Sequence, residues 1–346
     1  MRRTRAVQAA GLLAAVALTA AACGGDDEGN GDGGASDVTV GIGLTDAGTG
    51  DFSFNDSAAA GAIRIEDDLG ASTQILTPSK GQEQQNLETL INAGADPIVA
   101  IGFTYESALG TVAPANPDAQ FAIVDSVVEG DNVTSLVFAE EQGSFLMGAL
   151  AALRSETGNV GFIGAQQVPL LEKFAAGYKA GAEAAGEDLD KDITVQVQWI
   201  GTGNETFSSP DKAQVIAESM VDKGADVLYH AAGGSGNGMF NACAATGAVC
   251  IGVDSDQYES FAAQPDVQRT IITSMVKRVD NAVYAYAEGI VDGSITGGET
   301  VTGNLENEGV GYSTSNPDLT ESDIEYMDGW QDQIIAGDVE VPTTLS

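Results

Sequence analysis

Basic residues are scarce in this chain. Lysine and arginine total 14 against 51 aspartates and glutamates in 346 residues, a formal charge of −37. That balance excludes nucleic acid as a partner, because binding it needs a cationic footprint. An acidic surface also repels anionic lipid and keeps a chain dispersed at high salt. Histidine occurs once, at His230, after an apolar run and with no second metal-type ligand nearby. One imidazole so placed reads as a satisfied interior or rim residue, so no metal and no cofactor is expected. Cysteine occurs three times and never as Cys-x-x-Cys, and the chain has no Gly-x-Ser-x-Gly elbow and no Walker loop. Long apolar runs are missing beyond residue 22, and spanning a bilayer takes about 20 apolar residues. The absences point away from an enzyme.

The first segment is a sorting signal. Arg2, Arg3 and Arg5 precede an apolar run from Ala6 through Ala22, which ends in small residues. That order is the pattern of a secretory signal peptide, residues 1–22. Ala20-Ala21-Ala22-Cys23-Gly24 resembles a bacterial lipobox, with Ala20 where the pattern prefers leucine. The resemblance implies cleavage before Cys23 and a lipid on its sulfur, hence a chain anchored outside the cell membrane. Residues 23–36 follow as an acidic, glycine-rich stretch with no core residues, the composition of a flexible tether. Removing three arginines and no acid with the signal takes the charge from −37 to −40. Export implies an oxidising compartment, where Cys243 and Cys250 are placed for a disulfide across a helix end and a strand start. Two buried free thiols are the alternative.

From residue 37 the pattern alternates. Strand-length apolar runs fall at 38–44, 73–76, 97–101, 121–124, 133–138, 160–163, 193–200, 227–229, 249–253 and 270–274. Between them lie alanine-rich segments with apolar residues at three- and four-residue spacing, several ending in glycine. Repeated strand and helix predicts an α/β fold with parallel sheets covered on both faces. The length suits two doubly wound lobes better than one core. We expect lobe 1 at 37–139 plus 255–292 and lobe 2 at 140–254 plus 293–346. The C-terminal stretch from Gly293 stays open, apart from a helical pattern over 319–335. Ala93-Gly94-Ala95-Asp96 and Lys223-Gly224-Ala225-Asp226 echo each other, as two lobes of similar topology would, or as any two helix-to-strand junctions might read.

In open α/β sheets a ligand sits at the carboxyl ends of the strands. Those positions here hold Thr45-Asp46, Phe103-Thr104, Asp125, Gly164-Ala165, Gly201-Thr202, residues 231–234, Asp254-Ser255-Asp256 and Ser274. The set offers carboxylates, hydroxyls, glycines and an aromatic ring. The glycine loop from Gly233 to Gly238 could receive a phosphate on its N–H groups or an uncharged hydroxyl-bearing ligand against its backbone.

These strand ends carry a resemblance. Thr45-Asp46-x-Gly48 with Asp51-x-Ser53-Phe54-Asn55 is similar to the start of the basic membrane protein family of ABC substrate-binding proteins, which includes purine nucleoside receptors. Phe138-Ala139-Glu140-Glu141-Gln142-Gly143, Gly161-Phe162-Ile163-Gly164, Ala232-Gly233-Gly234-Ser235-Gly236, Ile251-Gly252-Val253-Asp254-Ser255-Asp256-Gln257 and Thr273-Ser274-Met275-Val276-Lys277-Arg278 follow in the family's order. The resemblance covers about residues 38–290. The loop between Asp46 and Phe54 is one residue shorter than the family pattern.

The resemblance implies a type I periplasmic-binding fold whose two lobes close on a small solute. It implies a nucleoside as ligand and ABC permease subunits as partners, with the chain acting as a monomer. Phe54 and Phe207 would stack on the base, and Phe103 would lie near its edge. Asp46 would accept from base N–H groups, and Asn55 would bind the ligand or cap a helix. Asp254, with Asp256 as its neighbour and competitor, would accept from ribose hydroxyls. Lys277 would donate to ribose oxygens, and Gly234 would admit close backbone contact. A receptor of the same fold for a sugar or autoinducer is the alternative, and an exported nucleoside-acting enzyme a further one.

Overall fold

The computed structural model describes residues 38–345. The signal, Cys23 and the tether lie outside them. In chain order the strands are β1 Thr39–Gly43, β2 Ser72–Leu76, β3 Ile98–Ile101, β4 Phe121–Val124, β5 Val133–Phe138, β6 Asn159–Gln166, β7 Thr194–Gly201, β8 Val227–Ala231, β9 Val249–Asp254, β10 Ile271–Lys277, β11 Thr300–Gly303 and β12 Val310–Tyr312. They form two six-stranded sheets, ordered β11-β5-β4-β3-β1-β2 and β12-β10-β9-β8-β6-β7. Every pairing is parallel except β10 with β12. The same winding is therefore built twice. β3, β4 and β8 are buried along their whole length, as central strands under two helical layers must be.

The ten expected runs are all strands. β11 and β12 come from the stretch that the sequence pattern left open. β11 is a mostly exposed edge strand and β12 has three residues, so neither carries a long apolar signature. The helix Glu321–Ala336 occupies the C-terminal helical pattern. The echo of residues 93–96 and 223–226 is structural. Gly94 and Gly224 have φ of 85° and 100°, and Ala95 and Ala225 each return a hydrogen bond to the preceding helix. Each junction leads into the equivalent strand, β3 or β8.

The expected lobe boundaries need correction. β10 pairs with β9 in the second sheet, so residues 271–277 do not belong with lobe 1. The chain returns to the first lobe only with helix Val279–Asp292, which packs on helix Phe54–Arg64. β11 then joins the first sheet and β12 the second, splitting the stretch from Gly293. Alternation of strand and helix does not say which sheet a strand enters; the apolar faces it buries decide that.

The lobes are therefore joined by crossovers at residues 138–140, 277–279 and 303–310. They run side by side. Ala139 N donates to Gly303 O at 2.8 Å and Arg278 N to Gly309 O at 3.0 Å. A Cβ on Gly309 would lie 2.2 Å from the Gly303 Cα, so this crossing admits no side chain. Cys243, in helix Gly236–Thr246, is bonded to Cys250 of β9, and both are fully buried. No helix among the described residues is long and apolar enough to cross a membrane.

Candidate solute-binding cleft

The carboxyl ends of both sheets face one cavity between the lobes. Its first wall is the loop after β1. Asp51 ties that loop together, accepting from the backbone N–H groups of Ser53 (3.0 Å), Asn55 (2.9 Å) and Asp56 (3.2 Å). Burial raises the Asp51 pKa, against these donors, which lower it. Asp56 accepts from Gly50 N and Phe52 N, each at 2.8 Å. Two carboxylates thus pin the start of helix Phe54–Arg64 and present Phe54 to the cavity. Phe103 follows β3 in a short turn, Phe103–Tyr105, whose Tyr105 hydroxyl donates to Leu44 O at 2.8 Å.

The second lobe supplies the facing wall. Phe207 sits in the turn Asn204–Ser208, held by Ser235, whose hydroxyl donates to Thr206 O at 2.7 Å and accepts from Ser209 N at 2.6 Å. Phe103 and Phe207 meet from opposite lobes with ring centroids 6.4 Å apart. Leu170, Leu171 and Phe174 add apolar surface, and Gly233-Gly234 line the cavity after β8.

The polar part is a buried charge cluster. Asp125 directly follows β4 and Asp254 ends β9, the equivalent strands of the two lobes, and they have left-handed φ of 68° and 66°. Lys277, at the end of β10, is 1% exposed. Its Nζ lies 2.5 Å from Asp125 Oδ1 and 3.2 Å from Glu140 Oε1. It also faces the rings of Phe138, Phe54 and Phe174, at 5.0, 5.2 and 5.7 Å from their centroids. Glu140 is shared with Lys173, 3.1 Å away. Burial pushes the Lys277 pKa down, but Asp125, Glu140 and Asp254 together outweigh it and the ammonium is held charged. Burial pushes Asp254 up to about 6, although Lys277 and the Ser53 hydroxyl both favour its ionised form. Asp125 is likewise raised by burial against the pull of Lys277.

The cleft is closed. Ser53 Oγ donates to Asp254 Oδ2 at 2.5 Å, and Ser255 Oγ and Gln257 Nε2 donate to Phe52 O at 2.8 and 2.9 Å. At the rim, Lys80 and Glu205 form an exposed ion pair of 2.7 Å.

Of the expected site residues, Asp46, Phe54, Asn55, Phe103, Phe207, Gly234, Asp254 and Lys277 line this one cavity. Asp256 does not. Its carboxylate caps helix Gln257–Ser260 through Glu259 N and accepts from Ser315 Oγ at 2.9 Å, facing an outer cleft. Asn55 reaches the cavity with its side chain already engaged. Its Oδ1 accepts from Thr45 N and its Nδ2 donates to Thr45 Oγ1 and Asp51. It caps no helix by its side chain, since the first turn begins after Ser53. His230 is fully buried, edge-on to Phe240, and burial lowers its pKa to about 4.

Sequence reasoning placed Asp125 at a strand end and Asp51 and Glu140 within motifs, but gave none of them, nor Phe174, a role in the site. A signal for Asp125 exists: Val124-Asp125-Ser126 repeats as Val253-Asp254-Ser255 at the matching strand end. Glu140 and Phe174 lie on helices, where only the tertiary fold turns them toward the cleft.

Two α/β lobes, joined by side-by-side crossovers and closed over a cavity at their strand ends, define the class of solute-binding proteins. The chain belongs to the family of PnrA-like ABC transporter substrate-binding proteins, whose sequence model matches residues 39–344. It is 33% identical to the ABC transporter nucleoside-binding protein BmpA of Lactococcus lactis subsp. cremoris, covering 96% of each chain. It is 31% identical to the CD4+ T-cell-stimulating antigen of Listeria innocua over 99% of each. A solved ABC transporter solute-binding protein from Aeropyrum pernix K1 superposes with a TM-score of 0.77 at 29% identity, covering 89% of this chain and 94% of that one.

Proposed function

We propose that the chain is an extracytoplasmic receptor that captures a nucleoside, of purine type, between its lobes and delivers it unchanged to an ABC permease. The observation that carries this reading is the pairing of Phe103 and Phe207 across a cavity that also holds Phe54, Asp46, Asp254 and Lys277. Aromatic rings suit the faces of a base, which is flat and polarisable. Asp46 is free to accept from base N–H groups. Asp254 accepts from ribose hydroxyls and Lys277 donates to ribose oxygens, while Gly234 lets the ligand approach the backbone. The name of the Lactococcus relative is consistent with this ligand. Closure excludes water, so each of these hydrogen bonds is made against a dry wall.

The permease reads the closed form, which couples binding to conformational change in one equilibrium. Cys23 carries the lipid that holds the monomeric receptor at the membrane, and Cys23→Ser is expected to release it into the medium. Isothermal titration with inosine, adenosine, guanosine, cytidine and ribose tests the ligand. The Asp125, Asp254 and Lys277 cluster would also serve a free sugar. Heat from ribose with none from any nucleoside would move the assignment there. Chromatography of the bound ligand tests the absence of chemistry: an altered nucleoside would make the chain an enzyme.

A further inference from the structure

Gln257 is fully buried beside the cavity without lining it. Its Oε1 accepts from Val253 N at 2.8 Å and lies 3.1 Å from His230 Nε2. Its backbone N donates to Ser274 Oγ at 3.1 Å. All three partners belong to the second lobe. Because Oε1 is engaged by an N–H, the amide can turn only its Nε2 outward, and that nitrogen donates to Phe52 O of the first lobe. The donor is therefore aimed before the lobes meet.

The acceptor is aimed too. Phe52 has a φ of 55°, a left-handed conformation that a bulky residue rarely adopts. The Asp56 carboxylate of the same lobe holds its N–H, and on closure its ring packs on Phe261 of the second lobe, with centroids 5.0 Å apart. Its carbonyl takes two donors from the other lobe, Gln257 and Ser255. Neither donor nor Phe52 lines the cavity.

We propose that Gln257 is a positioning residue for solute capture: with Ser255 it grips the Phe52 carbonyl and holds the cleft shut, whatever the solute. The inference rests on the solute-binding reading and not on the nucleoside. A contact made only in the closed state and away from the ligand raises the closed fraction, and apparent affinity rises with that fraction. Every ligand gains by the same factor.

Two variants test it at about pH 8, where a carboxylate is ionised. Gln257→Glu keeps an acceptor toward Val253 N and turns a second acceptor onto the Phe52 carbonyl. Ser255→Ala removes the other donor and carries the test if the first variant does not fold. The expected result is a common loss of affinity for inosine, adenosine and guanosine, about tenfold for Gln257→Glu, arising from faster dissociation. Small-angle scattering of the ligand-free protein should show a more open average. Unchanged affinity, a loss that differs between nucleosides, or an unchanged scattering curve overturns the proposal. If the unaltered protein takes no nucleoside, that reading fails by itself and the scattering comparison alone decides the grip on Phe52.

Discussion

Asp254 accepts at both oxygens only when ionised, because protonation turns one of them into a donor, and burial raises its pKa to about 6. A raised carboxyl pKa means that the folded site is protonated as pH falls through that value. Affinity for a hydroxyl-bearing ligand should therefore hold at pH 7–8 and fall as pH drops below about 6. Titration calorimetry across that range measures it, and Asp254→Asn should give weak binding with a smaller pH dependence, the remainder belonging to Asp125. His230 contributes nothing to such a profile, because with a pKa of about 4 it stays neutral throughout. Phe207→Ala should weaken nucleoside binding by about 1–3 kcal/mol, the worth of one base–aromatic stack, while leaving ribose binding alone. Lys277→Met leaves Asp125 buried without its cation and Glu140 with Lys173 alone. Breaking a buried pair costs about 3–5 kcal/mol. Urea unfolding should record that loss at neutral pH and a smaller one near pH 5, where the raised carboxyl of Asp125 takes up a proton.

Elements matter through their ends. Asp125 and Asp254 occupy matching strand ends, and the same left-handed turn aims each carboxylate into the cleft. A sequence pattern shows that a strand stops there, and the repeated Val-Asp-Ser is visible once the strand equivalence is known. What the pattern cannot show is that Lys277 and Asp125, more than 150 residues apart, form one ion pair. The crossovers are a second case. Gly303 and Gly309 sit in a stretch without apolar periodicity, yet a tight backbone crossing between the lobes depends on them. Gly309→Ala should destabilise the protein by about 1–3 kcal/mol, as overpacking does, and alter closure as well. Thermal unfolding with and without ligand would separate the two: an effect on the free protein alone would place the residue outside the closing motion.

At the scale of the molecule, charge decides what the cleft rejects. Asp46, Asp51, Asp125 and Asp254 line the cavity, and its cation Lys277 is already paired. A phosphate brought against those carboxylates would be desolvated with no free cation, at a cost of several kcal/mol. Inosine 5′-monophosphate should bind at least about 100-fold more weakly than inosine, measured by competition. Comparable affinities would mean that the phosphate stays in solvent outside the lobes.

The alternation of ten strands with helices and most cavity residues were legible in the sequence, because these features repeat or occupy strand ends. Phe103 and Asp254 stood out as an aromatic and a polar residue where a strand stops, and Phe54 came with the family resemblance. The assignment of β10 to the second lobe, the turning of Asp256 onto a helix cap, and the pairing of Lys277 with Asp125 were decided only by tertiary structure. Local pattern reports how each segment buries its own apolar face. Which distant segments share a sheet, and which charges meet once water is excluded, depends on how those faces fit together.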